Sequence, residues 1–323
     1  MRPFDFVRAR DVDHALALLA RPGAKALAGG TTLVDLMKLG VEMPETVVDI
    51  GGLPLSGIVV DAGQLRIGAL ASNSDVAANA EVQRFAPAVS QAILSGASGQ
   101  IRNAATMGGN LLQGSRCTYF RSGGWSCNKR QPGAGCSALD GINGGHAVLG
   151  VSDACIATHP SDLAVALVAA DAIVRIVGRG GGRTMPLNDF FRLPGTTPHI
   201  ETSLDRGELI AEIVIPMTAL NAASRYLKLR GRASYEFASA SVAGGIRVAG
   251  DRIEDVVICI GGVASKPWRS RAAELELVGG PLNKARVARF CDSLLSGAIT
   301  RPANRHKLDL ARGAIGRVLG WST

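Results

Sequence analysis

Four cysteines, Cys117, Cys127, Cys136 and Cys155, fall within 39 residues, separated by 9, 8 and 18 residues. Thiolates from one glycine-rich stretch can enclose a metal ion or an iron–sulfur cluster. A cluster suits irregular backbone, whose N–H groups are free to turn toward sulfur. Structural zinc usually takes close pairs of cysteines, and no such pair occurs here. Disulfides are a third use of such thiols, typical of exported proteins. Cys259 lies in the apolar run VVICIGGV and Cys291 in the helix-like KARVARFCDSLL, so both read as core fillers.

A second group of residues can hold an anion. Ala26, Leu27 and Ala28 run into Gly29 and Gly30, followed by Thr31, Thr32 and Leu33. Paired glycines at a strand-to-helix turn let successive N–H groups face a pyrophosphate, with threonine hydroxyls beside them. A plain tight turn with threonine caps is the competing reading. The pattern is neither G-x-G-x-x-G nor a P-loop. A second Gly-Gly pair lies in Ala105-Thr-Met-Gly-Gly-Asn-Leu111, where Thr106, Gly109 and Asn110 are the candidate contacts. Further on, His159-Pro-Ser-Asp opens a helical pattern. Ser161 and Asp162 are good first-turn residues, and Asp162 can also accept from ligand hydroxyls. No nucleophile–base pair or paired-carboxylate motif is present.

Positioning these groups falls to alternating strands and helices. Residues 11–20 read as an amphipathic helix, 25–30 as a strand, 31–40 as a helix and 46–52 as a strand, a small β-α-β unit. Residues 55–70 read as a hairpin, and 74–96 contain helical stretches. Residues 114–154 show no period, which in a compact protein marks a functional or disordered segment. The run SDLAVALVAADA from 161 is helical, IVRIVGRGGGRTMPL a hairpin, and 209–217 a strand. From 224 the pattern changes to three strands and helices near 268–277, 284–296 and 303–319, which places a boundary near 218–222.

With 323 residues the chain needs more than one core, and 47% hydrophobic against 19% charged residues describes a folded protein. Net charge is +8, from 35 basic and 27 acidic residues. The basic residues are spread out apart from a loose run at Arg225, Lys228, Arg230 and Arg232, without interleaved aromatics in a stripe. That excludes nucleic acid as a partner. No apolar run is long enough for a membrane span, and the N-terminus has no signal-peptide pattern. Export is therefore expected only on a partner's signal.

The motifs AGGTTL (28–33), TMGGNL (106–111), SDLAVAL (161–167) and KLRGRASYEFASASVA (228–243) stand in the order found in the medium flavin subunits of the xanthine dehydrogenase family, also called molybdenum hydroxylases, and the whole chain resembles them. The segments NLLQGSRCTYFR, CNKRQPGAGC and GVSDACIATHPSDLAVAL are similar to the FAD subunits of bacterial periplasmic aldehyde oxidoreductases, a branch with an inserted 4Fe–4S cluster. The resemblance implies an α+β fold of the vanillyl-alcohol-oxidase type. Residues 1–220 would form the FAD-binding domain, in subdomains of about 1–53 and 54–220 with a 4Fe–4S insertion at 114–155. Residues 221–323 would form a C-terminal domain with a three-stranded antiparallel sheet and helices.

By the same resemblance, residues 26–33 bind the FAD pyrophosphate, and Thr106, Gly109 and Asn110 line the cofactor. Asp162, with Ser161 beside it, meets the ribityl or adenosine part, Ile210 touches the adenine side, and Lys228 lies near the flavin or its phosphates. Cys117, Cys127, Cys136 and Cys155 hold the cluster. Tyr235 and Glu236 stand where many relatives carry an acidic pair or Tyr-Asp near the isoalloxazine, a departure that leaves the electron acceptor open. The implied partners are a small subunit with two 2Fe–2S clusters, a large subunit with a molybdenum cofactor, and an external acceptor. The implied reaction turns an aldehyde into a carboxylic acid in the large subunit. The implied compartment is the periplasm, reached by co-export, with the cytoplasm as the alternative. A zinc-stabilised scaffold and a self-sufficient flavin reductase are the alternative functions.

Overall fold

The computed structural model describes residues 1–320. Its strands form three sheets. The first is parallel, in the order β1-β3-β2, from β1 (Asp5–Arg8), β2 (Ala24–Leu27) and β3 (Thr46–Asp49). Helices Val12–Leu19 and Leu33–Lys38 make its crossovers. Leu16, Leu18 and Leu19 close its core against Val48 and Ile50. β1 is absent from the sequence-based reading: its four residues DFVR are mostly exposed, and its only partner, β3, lies about forty residues away.

The second sheet is antiparallel and five-stranded, built from β4 (Ile58–Asp61), β5 (Gln64–Gly68), β6 (Ile173–Gly178), β7 (Gly181–Pro186) and β8 (Leu209–Pro216). Its order is β4-β5-β8-β6-β7, so β8 joins two hairpins that are far apart in sequence. Helices Asn73–Ala78, Ala80–Phe85 and Pro87–Ser95 cover the core face.

The third sheet, in the order β11-β10-β9, comprises β9 (Arg225–Leu229), β10 (Ala240–Ala249) and β11 (Arg252–Gly261), all antiparallel. Helices Arg271–Leu277, Lys284–Leu294 and His306–Val318 enclose its own apolar core. The chain is thus α+β.

Helix Asp162–Ala169 joins the second and third sheets. Residues 163–169, LAVALVA, are all buried, as expected of a helix that is apolar all round. It shares one core with Ile213 and Ile215 of β8 and with Ala243, Val257 and Cys259 of the C-terminal sheet. Gly261 permits this close packing, since a Cβ there would lie 2.4 Å from Val165 Cγ2. Among the described residues no helix is long and apolar enough to cross a membrane.

Candidate functional site

The two glycine turns meet in space. Gly29 follows β2, and its Cα faces the backbone of residues 104 and 105, just before Thr106. A Cβ on Gly29 would come within 1.7 Å of the Ala104 carbonyl oxygen. The need for glycine here is therefore close backbone packing between the first sheet and the helical layer. The positive φ at this turn belongs to Gly30, at +73°. Among the described residues the N–H groups of Gly29, Gly30, Thr31 and Thr32 donate to no other protein group. The Thr32 side chain makes no capping bond to the following helix. Four successive amides without protein acceptors can face an anion.

The second turn is built differently. Met107 N–H donates to Ala71 O and Gly108 N–H to Ala69 O (2.8 Å), while Thr106 Oγ1 accepts from Gly109 N–H (3.2 Å). A Cβ at Gly108 would press on Ala69 Cβ at 3.1 Å. These donors are committed within the fold, so this turn fixes the wall against which the first one rests. Asn110 carries the connection onward: Ser161 Oγ donates to its Oδ1 (2.6 Å) while accepting from Ala164 N–H to cap the central helix. His159 packs edge-on against Phe191 and its Nδ1 accepts from Ser161 N–H (3.3 Å), a packed and capping role.

Asp162 is held by protein groups. Tyr226 Oη donates to its Oδ1, and Lys228 Nζ to its Oδ2 at 2.7 Å, in an ion pair that is nearly sequestered from solvent. Burial beside this carboxylate raises the Tyr226 phenol well above its ordinary value. Lys228 also donates to Ser95 O (3.3 Å), as does Arg230 (2.7 Å). Asp162, Tyr226 and Lys228 thus lock the central helix onto β9. Ile210 lies in β8 opposite Ile176, with its side chain in the apolar core. Tyr235 is exposed, with φ at +57°, and the Glu236 carboxylate accepts from Arg232 N–H.

The cysteine segment docks against the helix that follows the first turn. Arg121 donates to both oxygens of Asp35 (2.9 and 2.7 Å), and Leu36 packs with Phe120 and Cys127. Residues 114–155 contain one short helix, Thr118–Arg121. Their few apolar contacts gather around the cysteines, with Tyr119, Ala138 and Ile156 beside Cys117 and Cys136. Cys127 and Cys136 face each other across an isolated antiparallel bridge. All four cysteines line one small cavity, together with Tyr119, Phe120 and Lys129. All six cysteines of the chain are free, none paired in a disulfide.

Among the described residues no three His, Cys, Asp or Glu side chains converge as a single metal ion requires. Burial pushes the Cys117 thiol up to about 11 and raises that of Cys155, where the Lys129 ammonium works in the opposite direction. Metal binding here must displace protons from buried thiols. His146, buried, places Nε2 3.2 Å from Cys117 Sγ.

A shallow cavity of about 590 Å³ opens on the five-stranded sheet, lined by Arg66, Arg175, Glu212, Gly68 of β5 and Gly182 of β7. It contains none of the residues singled out from the sequence. Its charges pair among themselves, with Arg66 3.0 Å and Arg175 3.1 Å from Glu212. The two glycine turns meet elsewhere in the fold.

Residues 2–218 match the FAD binding domain in molybdopterin dehydrogenase, and residues 225–317 match the CO dehydrogenase flavoprotein C-terminal domain. The chain is a medium, FAD-binding subunit of the molybdenum hydroxylase family. It is 47% identical to the aldehyde oxidoreductase FAD-binding subunit PaoB of Escherichia coli, over 99% of this chain and 98% of that one. It is 28% identical to the glyceraldehyde dehydrogenase medium chain of Sulfolobus acidocaldarius, over 98% and 95% of the two chains. Among solved structures, CO dehydrogenase of Oligotropha carboxidovorans superposes with a TM-score of 0.77 at 22% identity, over 99% and 98% of the two chains. CO dehydrogenase of Hydrogenophaga pseudoflava gives 0.77 at 26% identity, over 100% and 98%.

In this flavin subunit the structure gathers residues 26–33, Thr106, Gly109, Asn110 and Ser161 around one junction and binds Asp162 to Lys228 beside it. Ile210 it leaves in the core. Two partners are missing from the sequence-based reading. Tyr226 was findable, because it lies two residues before Lys228 and so on the same face of β9. His146 carries no such signal, since it sits among aperiodic residues and meets Cys117 only through the fold.

Proposed function

We propose that this subunit holds FAD at the junction of its two glycine turns and relays electrons within a complex that oxidises an aldehyde to a carboxylic acid. Electrons arrive from two 2Fe–2S clusters of a small subunit, after chemistry at the molybdenum cofactor of a large subunit, and leave to an external acceptor. When bound, FAD supplies a carrier that takes electrons singly and releases them singly or in pairs. The observation that carries the reading is the run of four unpaired amides at residues 29–32, in a chain 47% identical to an aldehyde oxidoreductase FAD-binding subunit. Those amides receive the pyrophosphate. Thr106, Gly109 and Asn110 shape the adjoining wall, and the Ser161 and Asp162 turn closes it. Lys228 contributes through Asp162, which it holds in place.

The four cysteines, on the same reading, hold a 4Fe–4S cluster. What supports this is that all four line one cavity. Lys129 lines the same cavity and suits an anionic cluster. An optical spectrum of the purified chain with iron, zinc and acid-labile sulfide analysis tests both assignments. Flavin with iron and sulfide is the expected result; zinc alone favours a scaffold. Serine at Cys117, Cys127, Cys136 or Cys155 should lower iron content and loosen residues 114–155, while Cys259→Ser should leave iron unchanged. Equal iron loss from all five would refute the ligand assignment.

A further inference from the structure

His146 is tied to one cysteine alone. The residue is 7% exposed, its Nε2 lies 3.2 Å from Cys117 Sγ, and its Nδ1 is buried without a hydrogen-bond partner. The ring is fixed by its surroundings. Tyr119 lies against it with ring centroids 6.1 Å apart, and His146 N–H donates to Asn143 O. Asn304 Nδ2 donates to the neighbouring Ala147 carbonyl (3.2 Å), and Arg301 Nε donates to Leu139 O (2.9 Å). Two residues of the C-terminal unit therefore hold the loop that carries this histidine.

A metal-bound cysteine is a thiolate, which accepts hydrogen bonds and donates none. Only a proton on Nε2 gives a favourable contact at this distance. A proton on Nδ1 would turn the Nε2 lone pair toward sulfur and leave a buried N–H without an acceptor. Hydrogen bonds to cluster sulfurs are among the features that set reduction potential, because they stabilise the more negative, reduced state.

We propose that His146 is a positioning residue for the cysteine-bound cluster, donating Nε2–H to the Cys117 sulfur and holding the cluster's reduction potential above the value it would otherwise have. This rests on the cluster assignment above. The histidine is not a ligand, so its removal leaves four thiolates in place.

The test is a redox titration of the intact chain followed by the electron paramagnetic resonance of the reduced cluster, with iron and sulfide measured in each sample. His146→Leu, which keeps bulk and removes the donor, should retain iron and lower the potential. A tenfold change in the one-electron equilibrium would read as about 59 mV. His146→Gln, which restores an N–H donor, should recover part of the shift. In wild-type protein labelled with ¹⁵N-histidine, electron–nuclear double resonance should show a weak histidine nitrogen coupling to the reduced cluster, a readout that needs no variant. Unchanged potential in iron-replete His146→Leu, or no nitrogen coupling in wild type, overturns the inference while leaving the cluster assignment intact. Absence of iron and sulfide from the wild-type chain overturns the cluster assignment itself.

Discussion

At the scale of single residues, the two glycines of the first turn have different tasks. Gly29 is required by the Ala104 carbonyl, which a Cβ would meet at 1.7 Å. Gly30 is required by its left-handed backbone, at φ +73°, and a Cβ there would meet only Val34 Cγ2, at 3.2 Å. Gly29→Ala must separate two backbone segments. It should abolish FAD retention and lower the melting temperature, at a cost of about 1–3 kcal/mol or more. Gly30→Ala carries the left-handed penalty of about 1–2 kcal/mol and should keep a measurable share of the flavin. Flavin-to-protein ratios and thermal melts of the two variants check this; equal flavin loss would show that both glycines answer to the ligand. The sequence made the turn visible as a Gly-Gly pair but did not separate the tasks of its two glycines. Nothing local reveals that residues 104 and 105 press on Gly29, since that contact spans 75 residues.

At the scale of elements, the central helix and β9 are joined by the ion pair of Asp162 and Lys228, whose side chains are 10% and 4% exposed. Lys228→Met leaves a buried carboxylate with only the Tyr226 hydroxyl as partner. That should destabilise the fold by about 3–5 kcal/mol, read as a lower urea midpoint in flavin-free protein. A change below about 1 kcal/mol would mean that solvent reaches Asp162 and substitutes for the ammonium.

The last helix is anchored by another buried lysine. Lys307 donates to Gly262 O (2.6 Å) and Ser239 O (3.2 Å), and burial lowers its ammonium from 10.5 to about 8. Between these values the unfolded chain keeps a proton that the folded chain has released, so stability rises with pH through that window. Below about 8 both states are protonated and this gain is absent. Urea midpoints taken at the two ends of the window should show the rise in wild type and lose that component in Lys307→Met. Periodicity revealed most of these elements, including the apolar central helix and all three C-terminal strands. It missed β1, which is short and exposed and exists only because β3 pairs with it.

For the molecule as a whole, the relay proposed above leaves aldehyde turnover to the assembled complex. The purified chain, replete with FAD, should not turn over aromatic aldehydes with an artificial acceptor, and adding the small and large subunits should restore turnover. Steady turnover by the chain alone, free of partner subunits, would defeat the relay reading. The cysteine segment was legible as a metal-binding candidate from composition. Its placement beside the helix of the first turn was not, because Arg121 and Asp35 lie 86 residues apart.

The order of the five-stranded sheet also bears on how the chain is made. Its central strand, β8, is the last of the five in sequence, and the outer pairs, β4-β5 and β6-β7, are local hairpins. During synthesis both hairpins can close early, but they stay unjoined until residues 209–216 leave the ribosome, since non-local pairing must await its partner. All four candidate ligand cysteines emerge before that strand does. A nascent chain halted before residue 209 therefore presents these thiols on a scaffold whose middle strand is missing.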